Sequence, residues 1–548
     1  MNAIFSSPRL HARYWSAFIF AAPLWFAAAP AGADSYGDRP DDGRASETAA
    51  QIDPFDPVPE IGRDDCRDRD CRPSEHHAPS HRPPEMPSIS GHPTLMVDCS
   101  GQRRDMFPSL QLAARSAPPN ATILVLPPNE GMTCRGTVFI HVPLTIATYG
   151  GGDNAVIQAP PGRPCLVADI PLGDTLNIEG VRFVARGGDA PCVVVQAGHV
   201  VVRHSSIDSR TTNWAFDVRE SGDLAVEATH VETDRSGVRA WRAHVDLHGL
   251  DVDIDARHAD ALLNLREADC TSEDSADIRV PYSEDSLDEE DNAQGGEHGD
   301  AHGQAHGDRH EHASPAPADR DSKDRRDSVQ GSIGLALECT DGVVDAGNII
   351  GGAVGILASA GTHGLQIKDA NVRRARTGIL LLQGQLGSID VEHPVLSKDT
   401  NGVVVAPGAE SQVTGAVITE SEEAGITVYG TDSLISGNKV VGAEDGIRLF
   451  AAGAFPPPYF AGEFSAQPPL SNEDGVKPIV ENNLVANVRH AAVRIDGRVQ
   501  GRMERIHGRV IGNTFYARHA ECIDDKYNDD PVETRANTCN KSWFSWPF

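Results

Sequence analysis

Glu423, Glu444, Arg489 and His490 are residue types that can move a proton and neutralise an anion, provided the fold brings them together. They share one phase of a repeat. Two positions before a short Gly-initiated strand, successive repeats read Arg376, Thr400, Glu423, Glu444, His490 and His519. One position earlier they read Ala375, Asp399, Glu422, Ala443, Arg489 and Arg518. If the repeats stack, neighbouring rungs lie ~4.8 Å apart, and Asp399, Glu422, Glu423 and Glu444 crowd together beside Arg489 and His490. Crowded carboxylates raise one another's pKa, which prepares a general acid or a cation site. His490 could then serve as a base and Arg489 as a neutraliser of a carboxylate, with Tyr459 and Phe460 as an aromatic platform. The same columns also read as the polar turn residues of a soluble rod.

A second pattern is suited to metal. His298, His302, His306, His310 and His312 recur within GEHGDAHGQAHGDRHEH, where imidazoles alternate with carboxylates. Such a tract can chelate Zn²⁺, Cu²⁺ or Ni²⁺ weakly. Gly at every repeat argues against a helix, so the ligands would gather only on binding, and the tract also reads as a low-complexity linker. No cofactor is required by any other feature. The neighbouring acids Asp524 and Asp525 read as a solvated turn.

The elements that would position these residues are short. Runs of three to five Val, Ile and Leu recur at starts near Leu176, His199, Asp223 and His244, then at His363, Leu386, Glu410 and Asp432. A second strand recurs in phase at Gly378, Gly402, Gly425 and Gly446. Two strands per unit near 23 residues, with no run long enough for a helical repeat, predict a stacked solenoid. The fold class is therefore all-β, a single-stranded parallel β-helix of roughly twelve coils. Asp105 as N-cap, with Phe107, Leu110, Leu112 and Ala113 following, predicts a short N-terminal capping helix near 106–116.

The rest of the chain divides by composition. Residues 1–33 read as a signal peptide, 34–93 as a Pro/Asp/Arg-rich disordered linker, and 94–270 as the N-terminal coils. An acidic, His-rich insertion at 271–331 separates them from C-terminal coils at 332–540, which carry a loop insertion at 454–477. Residues 541–548 form an aromatic tail. Ten cysteines read as consecutive pairs, Cys66–Cys71, Cys99–Cys134, Cys165–Cys192, Cys270–Cys339 and Cys522–Cys539, and none forms a CxxC. Pairing and leader together predict a periplasmic or secreted protein with no transmembrane segment after signal removal. The net charge of −31 argues against nucleic acid as a partner, although residues 271–330, with 17 acidic and 6 basic residues, carry about −11 of it.

The repeat resembles the right-handed parallel β-helix proteins of the pectin-lyase-like superfamily. Leu112-Ala-Ala-Arg-Ser-Ala, Thr122-Ile-Leu-Val-Leu-Pro-Pro, Gly136-Thr-Val-Phe-Ile and Pro143-Leu-Thr-Ile are similar to the first coil of its carbohydrate-binding and sugar-hydrolase members. The polygalacturonase, pectate-lyase and alginate-epimerase motifs are absent from the sequence. The resemblance implies a handedness and a polysaccharide partner, bound or modified, with uronate elimination or epimerisation ahead of hydrolysis. Two alternatives are a non-enzymatic envelope-binding protein and a periplasmic metal-handling protein that uses the histidine tract.

Overall fold

Runs of three to six aliphatic residues are too short for helices, and each pairs with the same run one repeat later. Leu365, Ile389 and Ser411 are direct parallel partners on successive turns. The structure, a computed structural model, describes residues 92–541 apart from 129–132, 151–153, 189, 211–213, 256–331, 383–386, 410, 455–475, 500–501 and 530–531. Three parallel ladders run through it. The first stacks strands from Thr94–Val97 to Glu533–Arg535, the second from Cys134–Arg135 to Thr538–Asn540, and the third from Val138–Ile140 to Glu521–Tyr527. The solenoid has about 14 turns, against the roughly twelve expected from the repeat.

Alternation along each strand builds the core. In the first ladder Ile123, Ile146, Ile178, Val202 and Val226 are partners on consecutive turns, and all are buried. The column continues through Leu247, Val344, Ile367, Val391, Val413, Ile435, Val480 and Val510. This column alone contributes one aliphatic side chain per turn to the bore, and the other strands of each turn fill the rest.

In the last turns the corner between the first two ladders is held by a buried asparagine stack. The side-chain oxygen of Asn483 accepts from the backbone N and Nδ2 of Asn438, each at 2.9 Å. Asn513 accepts from Asn483 in the same way, and Asn537 from Asn513. Each Nδ2 also donates to a carbonyl one turn back, so the corner leaves no buried amide unpaired. Asn482 and Asn487, beside this stack, turn the chain at positive φ, as Arg374, Lys398 and Glu420 do in earlier turns.

Both insertions leave the ladder continuous. His244 pairs directly with Asp341, and Leu434 with Ile479. The capping helix runs Leu110–Ser116, later than expected, because Ser109 rather than Asp105 is the N-cap, accepting from the Leu112 N–H. Leu112 is exposed, while Leu110, Ala113 and Ala114 face the first strands. Disulfides join Cys99–Cys134, Cys165–Cys192 and Cys522–Cys539, with Cα separations of 5.1, 4.9 and 6.0 Å. Cys339 is also disulfide-bonded, to a cysteine outside the described residues. Cys66, Cys71 and Cys270 lie outside the described residues, as do the leader, the linker and most of both insertions.

Candidate active site

The third ladder carries the chemistry on its outer face. Along it Ile426, Ile447 and Val493 point into the bore, so the next residues, Thr427, Arg448, Arg494 and Asp524, form an outward column on consecutive turns. Earlier in the same column stand Ala336, Leu357, Leu380 and Val404. The outer face thus changes from apolar to charged between Val404 and Arg448.

Asp445 is the hub of the charged part. It opens a third-ladder strand, and its side chain is wholly buried. Burying a carboxylate is costly unless it is paired on both oxygens. Here Oδ1 contacts His490 Nδ1 at 2.8 Å and accepts from the Ala491 N–H at 3.1 Å. Oδ2 accepts from Arg448 Nε at 2.7 Å and lies 3.5 Å from an Arg494 terminal nitrogen. Arg448 in turn reaches Glu423 at 3.6 Å and Glu444 at 3.5 Å.

His490 sits at the rim, with its side chain 44% exposed. A carboxylate only accepts, so the Asp445 contact places the ring proton on Nδ1 and leaves Nε2 as the basic nitrogen of the neutral ring. Nε2 lies 3.8 Å from Asp524 Oδ2, and Asp524 is buried with its other oxygen 3.5 Å from Lys526 Nζ. Arg494 lies 5.7 Å over the Phe450 ring, Phe450 packs on Tyr429 at 5.5 Å, and Arg498 stacks 3.4 Å over Tyr527. Asp496 joins Arg494 and Arg498. Burial pushes the Asp496 carboxyl up, but hydrogen bonds from Arg498 and Arg494 outweigh it and hold the group below the usual carboxylate range.

The structure brings only some of the expected residues to His490. Glu423 and Glu444 gather on Arg448 instead. Arg489 turns back, its Nη2 donating to the Glu422 carbonyl at 2.6 Å. Tyr459, Phe460 and the five histidines of the tract lie outside the described residues. Asp445, Arg448, Arg494 and Asp524 were missed by the turn columns because they lie on the strand itself, one to four residues further on. Asp524 is a correction: it is a buried strand residue opposite Arg494, not a solvated turn. The column also slips by one at its end, since Ala491 pairs with Glu521 and so Ala520, not His519, follows His490.

Crowding does not produce the raised carboxylate of this region. Asp399 does, pushed up to about 7 by burial within the bore, with only partial relief from the Ala375 N–H that donates to it.

Residues 320–497, about a third of the chain, match the family described as periplasmic copper-binding protein (NosD). The chain is a right-handed parallel β-helix protein. Among solved structures this β-helix is similar to a GH136 lacto-N-biosidase from Eubacterium ramulus, at 9% identity and TM-score 0.36, covering 82% of this chain and 68% of that one. It is similar to the A-module of the Azotobacter vinelandii mannuronan C-5 epimerase AlgE6 (11% identity, TM-score 0.33, 78% and 93% covered). A mannuronic acid specific polysaccharide family 6 lyase from human gut microbiota gives 10% identity and TM-score 0.36, with 80% and 85% covered. No curated protein matches the chain. The β-helix is periplasmic or secreted, in keeping with its disulfides. No helix among the described residues is long and apolar enough to cross a membrane.

Proposed function

We propose that this β-helix binds an extracellular or surface polysaccharide across the outer face of its third ladder and acts on a uronate unit there, by elimination or epimerisation. One observation carries the reading: the half-exposed imidazole of His490, oriented through Nδ1 by the fully buried Asp445. Both reactions begin with removal of the proton beside the sugar carboxylate, and a positioned histidine supplies the base. Arg448 and Arg494, both on Asp445, are the cations that the fold sets beside His490 for that carboxylate.

The test is a panel of uronate polymers, followed by near-ultraviolet absorbance of the unsaturated product and by deuterium uptake from solvent at C5. Turnover lost in His490→Ala, with binding retained, supports the assignment. Binding without turnover in the wild type would leave the non-enzymatic module in its place.

Metal handling is the second reading, favoured by the family description of residues 320–497. Those residues include no methionine, one cysteine, Cys339, which is already disulfide-bonded, and three histidines, His363, His393 and His490. Soft thiolate and thioether ligands for copper are therefore lacking. The three histidines stand at different corners of the coil, and among the described residues no three His, Cys, Asp or Glu side chains could hold a metal together. The described part of the matched segment does not fit copper. The histidine tract at 298–312 precedes that segment, so deleting 296–312 should abolish transition-metal binding by the whole chain while polysaccharide binding survives.

A further inference from the structure

A cavity of about 330 Å³ opens at a different corner and in earlier turns, where the first ladder begins. Its polar lining is His244, Asp341, His363, Gln366, Ser388 and Asp390. The recess has a backbone cause. Strand Ile333–Asp345 slips register twice between Leu337 and Gly342, which places Gly342 between Val245 and Leu365 in an otherwise aliphatic column. Gly342 has φ 127°, and a Cβ there would stand 1.9 Å from the Val245 carbonyl oxygen. No side chain can fill the notch.

The lining is rich in acceptors. Asp341 is fixed through Oδ1 by the His363 N–H at 2.9 Å. Asp390 is partly buried, and its Oδ1 is buried with no hydrogen-bond partner. Burial, then the charge of Glu392, pushes its carboxyl up, against the pull of Lys368. Asp341 and Asp390 line the recess together with no lysine or arginine, which favours a ligand that brings positive charge. A volume at the lower end of small-molecule pockets, ~300–1,000 Å³, admits one sugar ring rather than a polymer segment.

We infer that this cavity binds a protonated amino sugar, its ammonium between Asp341 and Asp390 and its hydroxyls on His244, Gln366 and Ser388. Two carboxylates repel a uronate, so this ligand differs from that of the His490 face, and the inference stands apart from the proposed function. Calorimetry on the full chain with glucosamine tests it, with glucuronate and N-acetylglucosamine as controls. Binding of the amine alone is expected, weakened at least tenfold in Asp390→Asn and Asp341→Asn and unchanged in His490→Ala. Ser388→Trp, an exposed position at the mouth, should block binding without touching the carboxylates. Absence of binding by the amine, equal binding of its acetylated form, or full affinity in Asp390→Asn would each overturn the inference, whatever happens on uronate polymers.

Discussion

The outer face of the third ladder carries charge at two stations with an apolar stretch between them. The N-terminal station pairs Arg219 with Asp217 at 3.1 Å and Arg242 with Glu220 at 3.7 Å, and Arg242 stacks 4.9 Å over Trp241. Burial pushes its Glu338 up, with Arg239 opposing and Asp217 adding. Ala336, Leu357, Leu380 and Val404 then separate it from the Asp445 station. Charge and arginine are common to both, so neither marks a reactive site by itself. The difference is the coupling of a buried carboxylate to an exposed titratable ring. Among the described residues, the N-terminal station has no ion pair to histidine, whereas Asp445 has His490. An ion cluster on a solenoid face is ordinary surface structure; a buried carboxylate that orients a half-exposed imidazole is the device on which the proposed proton transfer rests.

The largest expected effects break that device. Removing the proposed base in His490→Ala should lower turnover roughly 10²–10⁴-fold, and also lower the thermal midpoint, because buried Asp445 Oδ1 then keeps only the Ala491 N–H. Asp445→Ala should do both kinds of damage. It leaves Arg448 and Arg494 facing an emptied buried site, for which about 3–5 kcal/mol of stability is typical, measurable by denaturant unfolding. Asp445→Asn separates the two effects. The amide can still accept from the Ala491 N–H, so the variant should fold while turnover falls.

Next in size is the asparagine stack beneath the same turns. Asn483→Ala removes the acceptor for two donors of Asn438 and the donor to Ile435, all buried. Asn438 Nδ2 keeps its bond to the Val413 carbonyl, so two buried groups lose their partner, at about 1–3 kcal/mol each, and a loss of roughly 2–6 kcal/mol is expected. The same corner in earlier turns carries Ala370 and Ala416, and Ala370→Gly should cost far less.

The sequence made the coil legible and the site only half so. Period and alternation need nothing beyond residue order, and the inward columns followed from them. His490 and its column were legible because turn phase repeats, as were three of the disulfides. Asp445 was not, because its role depends on being buried, and burial at a strand's first residue is set by the stack rather than by local pattern. Asp524 was misread for the same reason: two adjacent acids look solvated until the strand is known to continue through them. Asp399 shows the reverse. The sequence marked it as one of a crowd, but its own burial raises it.

That burial gives a pH-dependent prediction for the stretch between the stations. Asp399 has its pKa moved from 3.8 to about 7, so the folded chain holds this proton more tightly than the unfolded chain does. Its contribution therefore weakens stability progressively as pH rises from about 4 to about 7 and is level above. At about 1.4 kcal/mol per pKa unit the cost reaches a few kcal/mol. Asp399→Asn keeps an acceptor for the Ala375 N–H and should raise the thermal midpoint at pH 8 while changing it little at pH 4. An unchanged slope of midpoint against pH would show that the carboxyl is not held in the bore.

The smallest effect is expected at the N-terminal station, and it is the one that most directly tests the contrast. Asp217→Asn removes the partner of Arg219, which costs stability, but it also relieves Glu338 of a like charge, which returns some. Arg219 is 22% exposed, so water takes over part of the lost pairing. The net change should be about 1 kcal/mol or less, with turnover on a uronate polymer unaltered. A tenfold loss of turnover would instead show that the two stations act together, and the contrast drawn between them would fall.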